Sequence, residues 1–167
     1  MACADVVASF GGSWLTDREG ESAMEETRGR HGVVGYVPGA WDMFHIGHLN
    51  ILKRARDHCD WLVAGVVTDQ ALFEMKRKYP IVPFEERLEI VQAIGIVDEA
   101  VVDHSINKVE VWQKVHFDVL FKGDDWRGTA KGLRLERELA TVGARVHYFP
   151  YTLSTSSSEL RRVLAES

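Results

Sequence analysis

The sequence has little of what would indicate a secreted, membrane or nucleic-acid-binding protein. Only Cys3 and Cys59 are cysteines among 167 residues, too few for a disulfide framework and typical of a reducing compartment. No apolar stretch reaches the ~18–20 residues that cross a membrane, and Asp5 interrupts the short apolar segment near the start. The net charge of −5 argues against broad binding to nucleic acid. We therefore expect a cytoplasmic protein that holds any anionic ligand with a local cluster of positive groups.

Residues 1–30 differ in composition from the rest of the chain. The segment GGSWLTDREGESAMEETRGR is rich in glycine, serine, glutamate and arginine and has little periodicity. Such a composition predicts a flexible N-terminal extension. The remaining residues, 31–167, are enough for one domain with a real core and too few for two.

Within residues 31–167, short apolar runs alternate with helical patterns. The predicted strands are Val33–Val37, Trp61–Val67, Ala100–Asp103, Val119–Lys122 and Arg145–Phe149. The predicted helices are Ile46–His58, Phe84–Ile94, Gly132–Val142 and Ser156–Ala165. This alternation predicts a single α/β domain with a doubly wound parallel sheet, a Rossmann-like fold. Ligands of such sheets bind beyond the carboxyl ends of the strands.

The segment GAWDMFHIGHLNILKRA lies at one of these strand ends and opens a predicted helix. His45 and His48 are three residues apart, so they lie on the same side of the first helical turn. Unpaired backbone N–H groups and the helix dipole attract anions there. Gly39 and Gly47 have no side chains and allow a phosphate to approach the backbone. The pattern therefore predicts a cradle for a polyphosphate.

Two imidazoles at fixed spacing suit phosphoryl-type transfer, which depends on alignment and on donors aimed at developing negative charge. An attacking phosphate needs no general base, because its second pKa is roughly 6 and it is largely ionised near neutral pH. Two other interpretations exist for such a pair. It could be half of a metal site, although no third ligand lies nearby in the sequence, or an ordinary surface pair on a capped helix.

With these residues the segment resembles the HxGH signature of the nucleotidyltransferase superfamily, which transfers a nucleotidyl group from a nucleoside triphosphate. Class I aminoacyl-tRNA synthetases share the tetrapeptide, but this chain is far too short for one and has no KMSKS sequence. The resemblance implies catalytic roles for His45 and His48. It also implies nucleotide-binding roles for the residues around them: Gly39, Ala40, Trp41, Asp42 and Gly47.

A second segment, EMKRKYPIVPFEER, carries a cluster of positive charge at residues 76–78. Alone, such a cluster indicates a solvated loop. After the second strand it resembles the lysine-bearing loop of cytidylyltransferases, in which one lysine meets the α-phosphate and another the phosphorylated substrate. The resemblance implies a catalytic Lys76, a substrate-binding Lys78 and an Arg87 that contacts phosphates.

A third segment, FKGDDWRG, leaves the end of an apolar strand. Gly-Asp-Asp is ordinary turn chemistry, but the fold places it at the ligand edge. There Asp124 and Asp125 would accept hydrogen bonds from an amino group or sugar hydroxyls, and Trp126 would offer a flat apolar face. GDDW closely resembles glycerol-3-phosphate cytidylyltransferases, whereas heptose-phosphate adenylyltransferases more often have GGD. The motif therefore favours CTP over ATP.

A fourth segment, FPYTLSTSSSELRRVL, has a serine/threonine run before a helix, which is an N-cap signal and also presents donors to a phosphate. It resembles the R-T-E-G-I-S-T-T-like sequence of the family, although Tyr151 stands where that sequence has arginine. Gly95 likewise stands where glycerol-3-phosphate enzymes have arginine. The nucleotide-binding residues implied here are Thr152, Ser154, Thr155 and Ser156.

Together these motifs imply a cytidylyltransferase that joins CTP to a small phosphorylated alcohol, with glycerol 3-phosphate favoured, and releases pyrophosphate. Mg²⁺, held mainly by the nucleotide phosphates, is the implied cofactor. The family resemblance further implies a homodimer. Two alternatives stay open: an adenylyltransferase of the same fold acting on a sugar phosphate or a cofactor precursor, and a non-catalytic nucleotide-binding relative.

Overall fold

The computed structural model describes residues 32–150 and 156–166, which form one five-stranded parallel sheet with helices on both faces. The strands are β1 (Val34–Gly39), β2 (Trp61–Val67), β3 (Glu99–Asp103), β4 (Val119–Gly123) and β5 (Arg145–Phe149). Their order across the sheet is β3-β2-β1-β4-β5, and all four neighbouring pairs are parallel. The predicted fold class is therefore confirmed. The predicted extension, residues 1–30, lies outside the described residues.

Six α-helices connect or follow the described strands. They are α1 (Ile46–Arg56), α2 (Asp69–Lys76), α3 (Phe84–Gln92), α4 (Lys108–Val115), α5 (Ala130–Ala140) and α6 (Ser157–Glu166). The sequence did not predict α2 and α4. Each has only eight residues and is started by a side-chain cap, Thr68 for α2 and Asn107 for α4. None of the helices in the described ranges is long and apolar enough to cross a membrane.

Each face of the sheet is covered by its own core. On one face, Leu52 and Ala55 of α1 pack against Val37 and Phe121, forming what we call the α1-side core. On the other face, Leu135 and Leu139 of α5 and Val111 of α4 pack against strand residues that include Tyr36 and Leu120, forming the α5-side core. The near-continuous apolar runs of β1, β2 and β4 reflect this burial on both faces.

The topology reverses between the neighbouring strands β1 and β4. From β1 the chain passes through α1 to β2 on one side of the sheet, whereas from β4 it passes through α5 to β5 on the other. Helices α1 and α5 pack in opposite cores, so they diverge at the carboxyl ends of these two strands. Such a switch point leaves a crevice, which is where open α/β sheets bind ligands.

Candidate functional site

A cavity of about 330 Å³ opens at the carboxyl ends of β1 and β4. Its walls come from the ends of β1, β4 and β5, the turn that follows β4, α1 from Gly47 to Arg54, the last residue of α2 and the start of α6. These elements are distant in sequence but meet at the switch point. The first turn of α1 lines the cavity, and both histidines are among its lining residues.

His45 is the N-cap residue of α1. Its Nδ1 accepts a hydrogen bond from the backbone N–H of Gly47 at 3.1 Å. Because Nδ1 is an acceptor, the proton of the neutral ring lies on Nε2. Nε2 lies 3.3 Å from the Ser157 hydroxyl oxygen, and that hydroxyl in turn donates to the backbone carbonyl of Asp42 at 2.9 Å. The cap thus fixes which nitrogen of His45 donates.

His48 completes a reciprocal capping box, because its Nδ1 faces the backbone N–H of His45 at 3.4 Å. Capping boxes usually combine serine or threonine with glutamate or glutamine. Here both members are imidazoles, stacked with ring centroids 3.9 Å apart. Burial, reinforced by the neighbouring His45, lowers the pKa of His48 to about 4. At neutral pH His48 is therefore uncharged, and like His45 it carries its proton on Nε2.

Three basic side chains line the cavity with the histidines: Lys76 at the end of α2, Lys122 at the end of β4, and Arg54 of α1. The ammonium nitrogen of Lys122 lies 4.4 Å from the centroid of the Trp126 ring. Burial, with the charges of nearby lysines, lowers the pKa of Lys122 to about 8. Among the described lining residues Asp125 is the only acid. The cavity is thus suited to a polyanion.

A tight turn between β1 and α1 places the histidines. Trp41 and Met43 both have positive φ, 55° and 49°, in a conformation that side chains rarely adopt. The Trp41 indole is buried, and its Nε1–H donates to the carbonyl of Gly65 at 2.9 Å. A Cβ on Gly39 would lie 2.6 Å from this indole. Gly39 therefore makes room for Trp41, in addition to lining the cavity itself.

Asp42, which the family resemblance implied as a site residue, does not line the cavity. Its carboxylate is buried and accepts hydrogen bonds from the N–H groups of Ile81 and Val82 at 2.9–3.2 Å. It also pairs with Arg161 of α6, which donates to the carbonyl of Tyr79 at 3.1 Å. Asp42 thus ties α6 and the segment after α2 to the β1–α1 turn. The carboxylate of Asp42 therefore positions the site.

Arg87 is likewise a structural residue, although the sequence implied a phosphate contact. Its side chain is fully buried and donates to the carbonyls of Ala40, Val67 and Val82 and to the carboxylate of Asp69. These bonds engage all three guanidinium nitrogens. Arg87 therefore holds together the segments around the cavity and does not itself line it.

The other implied site residues divide into three groups. Gly47, Asp125, Trp126 and Ser156 line the cavity, as do Trp41 and the catalytic candidates His45, His48 and Lys76. Lys78 and Asp124 are exposed and do not line it, and Ala40 is half-buried against Val67, Ala71 and Leu72. Thr152, Ser154 and Thr155 lie outside the described residues, as does Tyr151. Gly95 has no atom within 4 Å of the position a Cβ would take.

The lining residues that were not identified from the sequence include the two basic residues Lys122 and Arg54, and Ser157. Arg54 lies seven residues after Gly47, two helical turns along the same face, so the helical period could have indicated it. Lys122 directly follows the apolar run Val119–Phe121 and precedes the GDDW motif, at a strand end where a lysine is ordinarily solvent-exposed. Ser157 stands one residue beyond the serine and threonine residues that the family motif matched.

Comparisons with known proteins find sequence relatives and solved structures with a similar fold. A family model described as cytidylyltransferase-like matches residues 36–163. The FAD synthase of Thermococcus kodakarensis is 30% identical over 142 residues, covering 84% of this chain and 94% of the relative. The glycerol-3-phosphate cytidylyltransferase of Bacillus spizizenii is 30% identical over 128 residues, covering 76% and 93%. A lipopolysaccharide core biosynthesis protein from Thermoplasma volcanium shares the fold, with a TM-score of 0.63, 22% identity, and coverage of 74% of this chain and 99% of that one.

Proposed function

Because the chain belongs to the cytidylyltransferase-like family, we propose that it is a nucleotidyltransferase that transfers CMP from CTP to a small phosphorylated alcohol. The products are a CDP-alcohol and pyrophosphate. One observation carries this proposal. At the start of α1, the neutral imidazoles of His45 and His48 each have their proton on Nε2, and they line the same cavity as Lys76.

In the proposed reaction, an oxygen of the acceptor phosphate attacks the α-phosphorus of the nucleotide. A new P–O bond forms as the bond from the α-phosphorus to the bridging oxygen breaks, and pyrophosphate leaves with that oxygen. His45 and His48 donate hydrogen bonds to phosphate oxygens as charge develops, and Lys76 neutralises the same charge. For His45 this means exchanging the Ser157 hydroxyl for a phosphate oxygen. The acceptor phosphate is already ionised, so no general base is needed.

Magnesium fits this site as an ion carried by the nucleotide. Within the described residues no group of three or more His, Cys, Asp or Glu side chains could hold a metal. Asp125 is the one described lining residue with a carboxylate, and Mg²⁺ is commonly held by one or two carboxylates together with substrate phosphates. Bound in this way, the ion would neutralise charge on the leaving pyrophosphate.

The GDDW motif supports CTP and glycerol 3-phosphate as the substrates. Asp125 and Trp126 line the cavity beside Lys122, so a carboxylate and an aromatic surface are available to the nucleotide or the acceptor. The glycerol-3-phosphate cytidylyltransferase relative, covered over 93% of its length, supports the same substrates. The family resemblance also leads us to propose a homodimer, and the low cysteine content leads us to propose a cytoplasmic location. Sedimentation equilibrium would measure the mass of the dimer.

A second candidate is adenylyl transfer from ATP to a flavin phosphate. The FAD synthase relative favours it, since that protein is covered over 94% of its length at the same 30% identity. FAD contains an adenylyl group joined to a flavin phosphate, so the same attack on an α-phosphorus would form it. The histidines and Lys76 would serve either nucleotide, because they address phosphates and not bases.

A two-by-two assay of pyrophosphate release separates the candidates. The full chain is incubated with Mg²⁺ and either CTP or ATP, and with either glycerol 3-phosphate or FMN as acceptor. We expect turnover with CTP and glycerol 3-phosphate. Turnover with ATP and FMN instead would establish the second candidate. Binding of a nucleotide with no turnover, across a wider panel of phosphorylated alcohols, would show a non-catalytic relative.

A further inference from the structure

We propose that Lys122 binds the phosphate of the acceptor, the group that attacks the nucleotide, and does not bind the triphosphate. This inference rests on the proposed nucleotidyl transfer and adds a substrate-binding residue to it. Sequence motifs assigned the acceptor phosphate to Lys78. That side chain is exposed and does not line the cavity, whereas Lys122 does.

The ammonium group of Lys122 is available to a ligand. It lies 4.4 Å from the centroid of the Trp126 ring, and within the described part of the chain it makes no hydrogen bond or ion pair. Asp103 is already paired with the other nearby lysine, Lys108, at 2.5 Å. A half-buried cation beside an aromatic ring, without a paired carboxylate, favours an anion that arrives from solution. Its lowered pKa has the same origin, because burial and nearby lysines disfavour the charged form.

Lys122 reaches the cavity from the face of the sheet opposite to the histidines. Along β4 the side chains alternate: Phe121 belongs to the α1-side core and Leu120 to the α5-side core. Lys122 therefore emerges on the α5 side, where Trp126 also packs. His45 and His48 stand on the first turn of α1, which covers the other face. The cavity thus has donors on two opposite sides.

In an in-line displacement the attacking and leaving oxygens lie on opposite sides of the α-phosphorus. The site must therefore bind phosphates on both of these sides. The pyrophosphate is best placed along the N-terminus of α1, where backbone N–H groups, the dipole and both imidazoles attract it. The attacking phosphate must then approach from the α5 side. Lys76 also lines the cavity, and its charge contributes to the lowered pKa of both His48 and Lys122, so it lies near both groups. Arg54 lies on α1, on the side of the histidines, and donates to the carbonyl of Pro150, so Lys122 is the described basic lining residue that remains for the acceptor.

The test compares Lys122→Met, which keeps the length of the side chain and removes its charge, with the wild type. Lys131→Met is the matched control, because Lys131 is exposed on α5 and does not line the cavity. We expect kcat/KM for glycerol 3-phosphate to fall about 10- to 100-fold in Lys122→Met, the usual loss of a charge-assisted phosphate contact. KM for CTP should stay within about twofold, and Lys122→Arg should recover part of the loss. Thermal melting checks that each variant is folded.

Calorimetric titration of glycerol 3-phosphate, in the presence of a non-reactive CTP analogue, separates this inference from the proposed function. Weaker binding to Lys122→Met than to the wild type supports the acceptor role even if no turnover occurs, in which case only the proposed reaction fails. Equal binding to both proteins, or no binding to either, overturns it. A rise in KM for CTP with an unchanged KM for the acceptor would also overturn it, because Lys122 would then belong to the nucleotide.

Discussion

Replacing His45 with asparagine should remove activity and leave the fold intact. As the N-cap of α1, His45 uses Nδ1 to accept from the Gly47 N–H at 3.1 Å. Asparagine carries an oxygen at the equivalent position and is among the best N-cap residues, whereas histidine is not among the preferred ones. The variant therefore keeps the cap but loses Nε2–H, the donor proposed to contact phosphate. A histidine at this position is better explained by a ligand than by helix stability.

The expected magnitudes differ enough to separate the two effects. Losing the contact to Ser157, which spans 3.3 Å at a partly exposed site, costs about 1 kcal/mol at most. A better cap offsets part of this, so the free energy of unfolding should change by about 1 kcal/mol or less, a shift of roughly 2–4 °C in Tm. Losing one transition-state donor lowers kcat by about 10²- to 10³-fold, or roughly 2.7–4 kcal/mol. The catalytic loss therefore exceeds anything that partial unfolding would cause.

Steady-state pyrophosphate release and a thermal melt, measured on the same preparation, provide the assay. His104→Asn is the matched control, since His104 is exposed and does not line the cavity. A kcat for His45→Asn within threefold of the wild type would refute the donor role. A fall in Tm of more than about 8 °C would instead show that His45 is needed mainly for the fold.

The three remaining predictions concern His48, Gly132 and Lys122. His48→Asn keeps an acceptor for the His45 N–H and loses Nε2–H, whereas His48→Gln can place an N–H near the Nε2 position. We expect kcat to fall about 10²- to 10³-fold in the asparagine variant and less in the glutamine variant; equal losses would contradict the assigned proton position. Gly132→Ala would usually stabilise a helix by about 1 kcal/mol, but here the Cβ would lie 2.0 Å from the Trp126 carbonyl oxygen. We expect the free energy of unfolding, measured by chemical denaturation, to fall by about 1–3 kcal/mol and the KM for the substrates to rise, with Lys131→Ala as control. Finally, kcat/KM for the acceptor should fall as the pH rises through about 8, because the lowered pKa makes Lys122 lose its proton there; a profile that stays flat to pH 10 would contradict this.

The sequence predicted the sheet well because β1, β2 and β4 are buried on both faces. Near-continuous apolar runs located these three strands, and shorter apolar patterns located β3 and β5, with the bounds of β2 and β5 as observed. The helices it missed, α2 and α4, are short. The α4 sequence KVEVWQKV also contains three β-branched valines, which disfavour a helix. Tertiary packing of residues such as Val111 stabilises this helix, and local propensity does not reveal it.

The candidate site was predictable where a residue acts through its position on one element. His45 and His48 were identified because strand, turn and helix place them at the sheet edge. Arg87 and Asp42 were assigned to the nucleotide site through the family resemblance. Their buried bonds to segments distant in sequence, which the sequence alone does not show, give them structural roles instead. Lys122 was missed because a lysine at a strand end is ordinarily exposed to solvent, and the sequence does not show that this one lines the cavity.

A crystal structure of the full chain with Mg²⁺ and a non-hydrolysable CTP analogue would test the phosphate cradle most directly. We predict that the Nε2 atoms of His45 and His48 lie within about 2.7–3.2 Å of phosphate oxygens, at least one of them on the α-phosphorus. The Ser157 hydroxyl should then no longer contact His45. A triphosphate bound away from the first turn of α1, or imidazoles turned out of the cavity, would contradict the proposed chemistry.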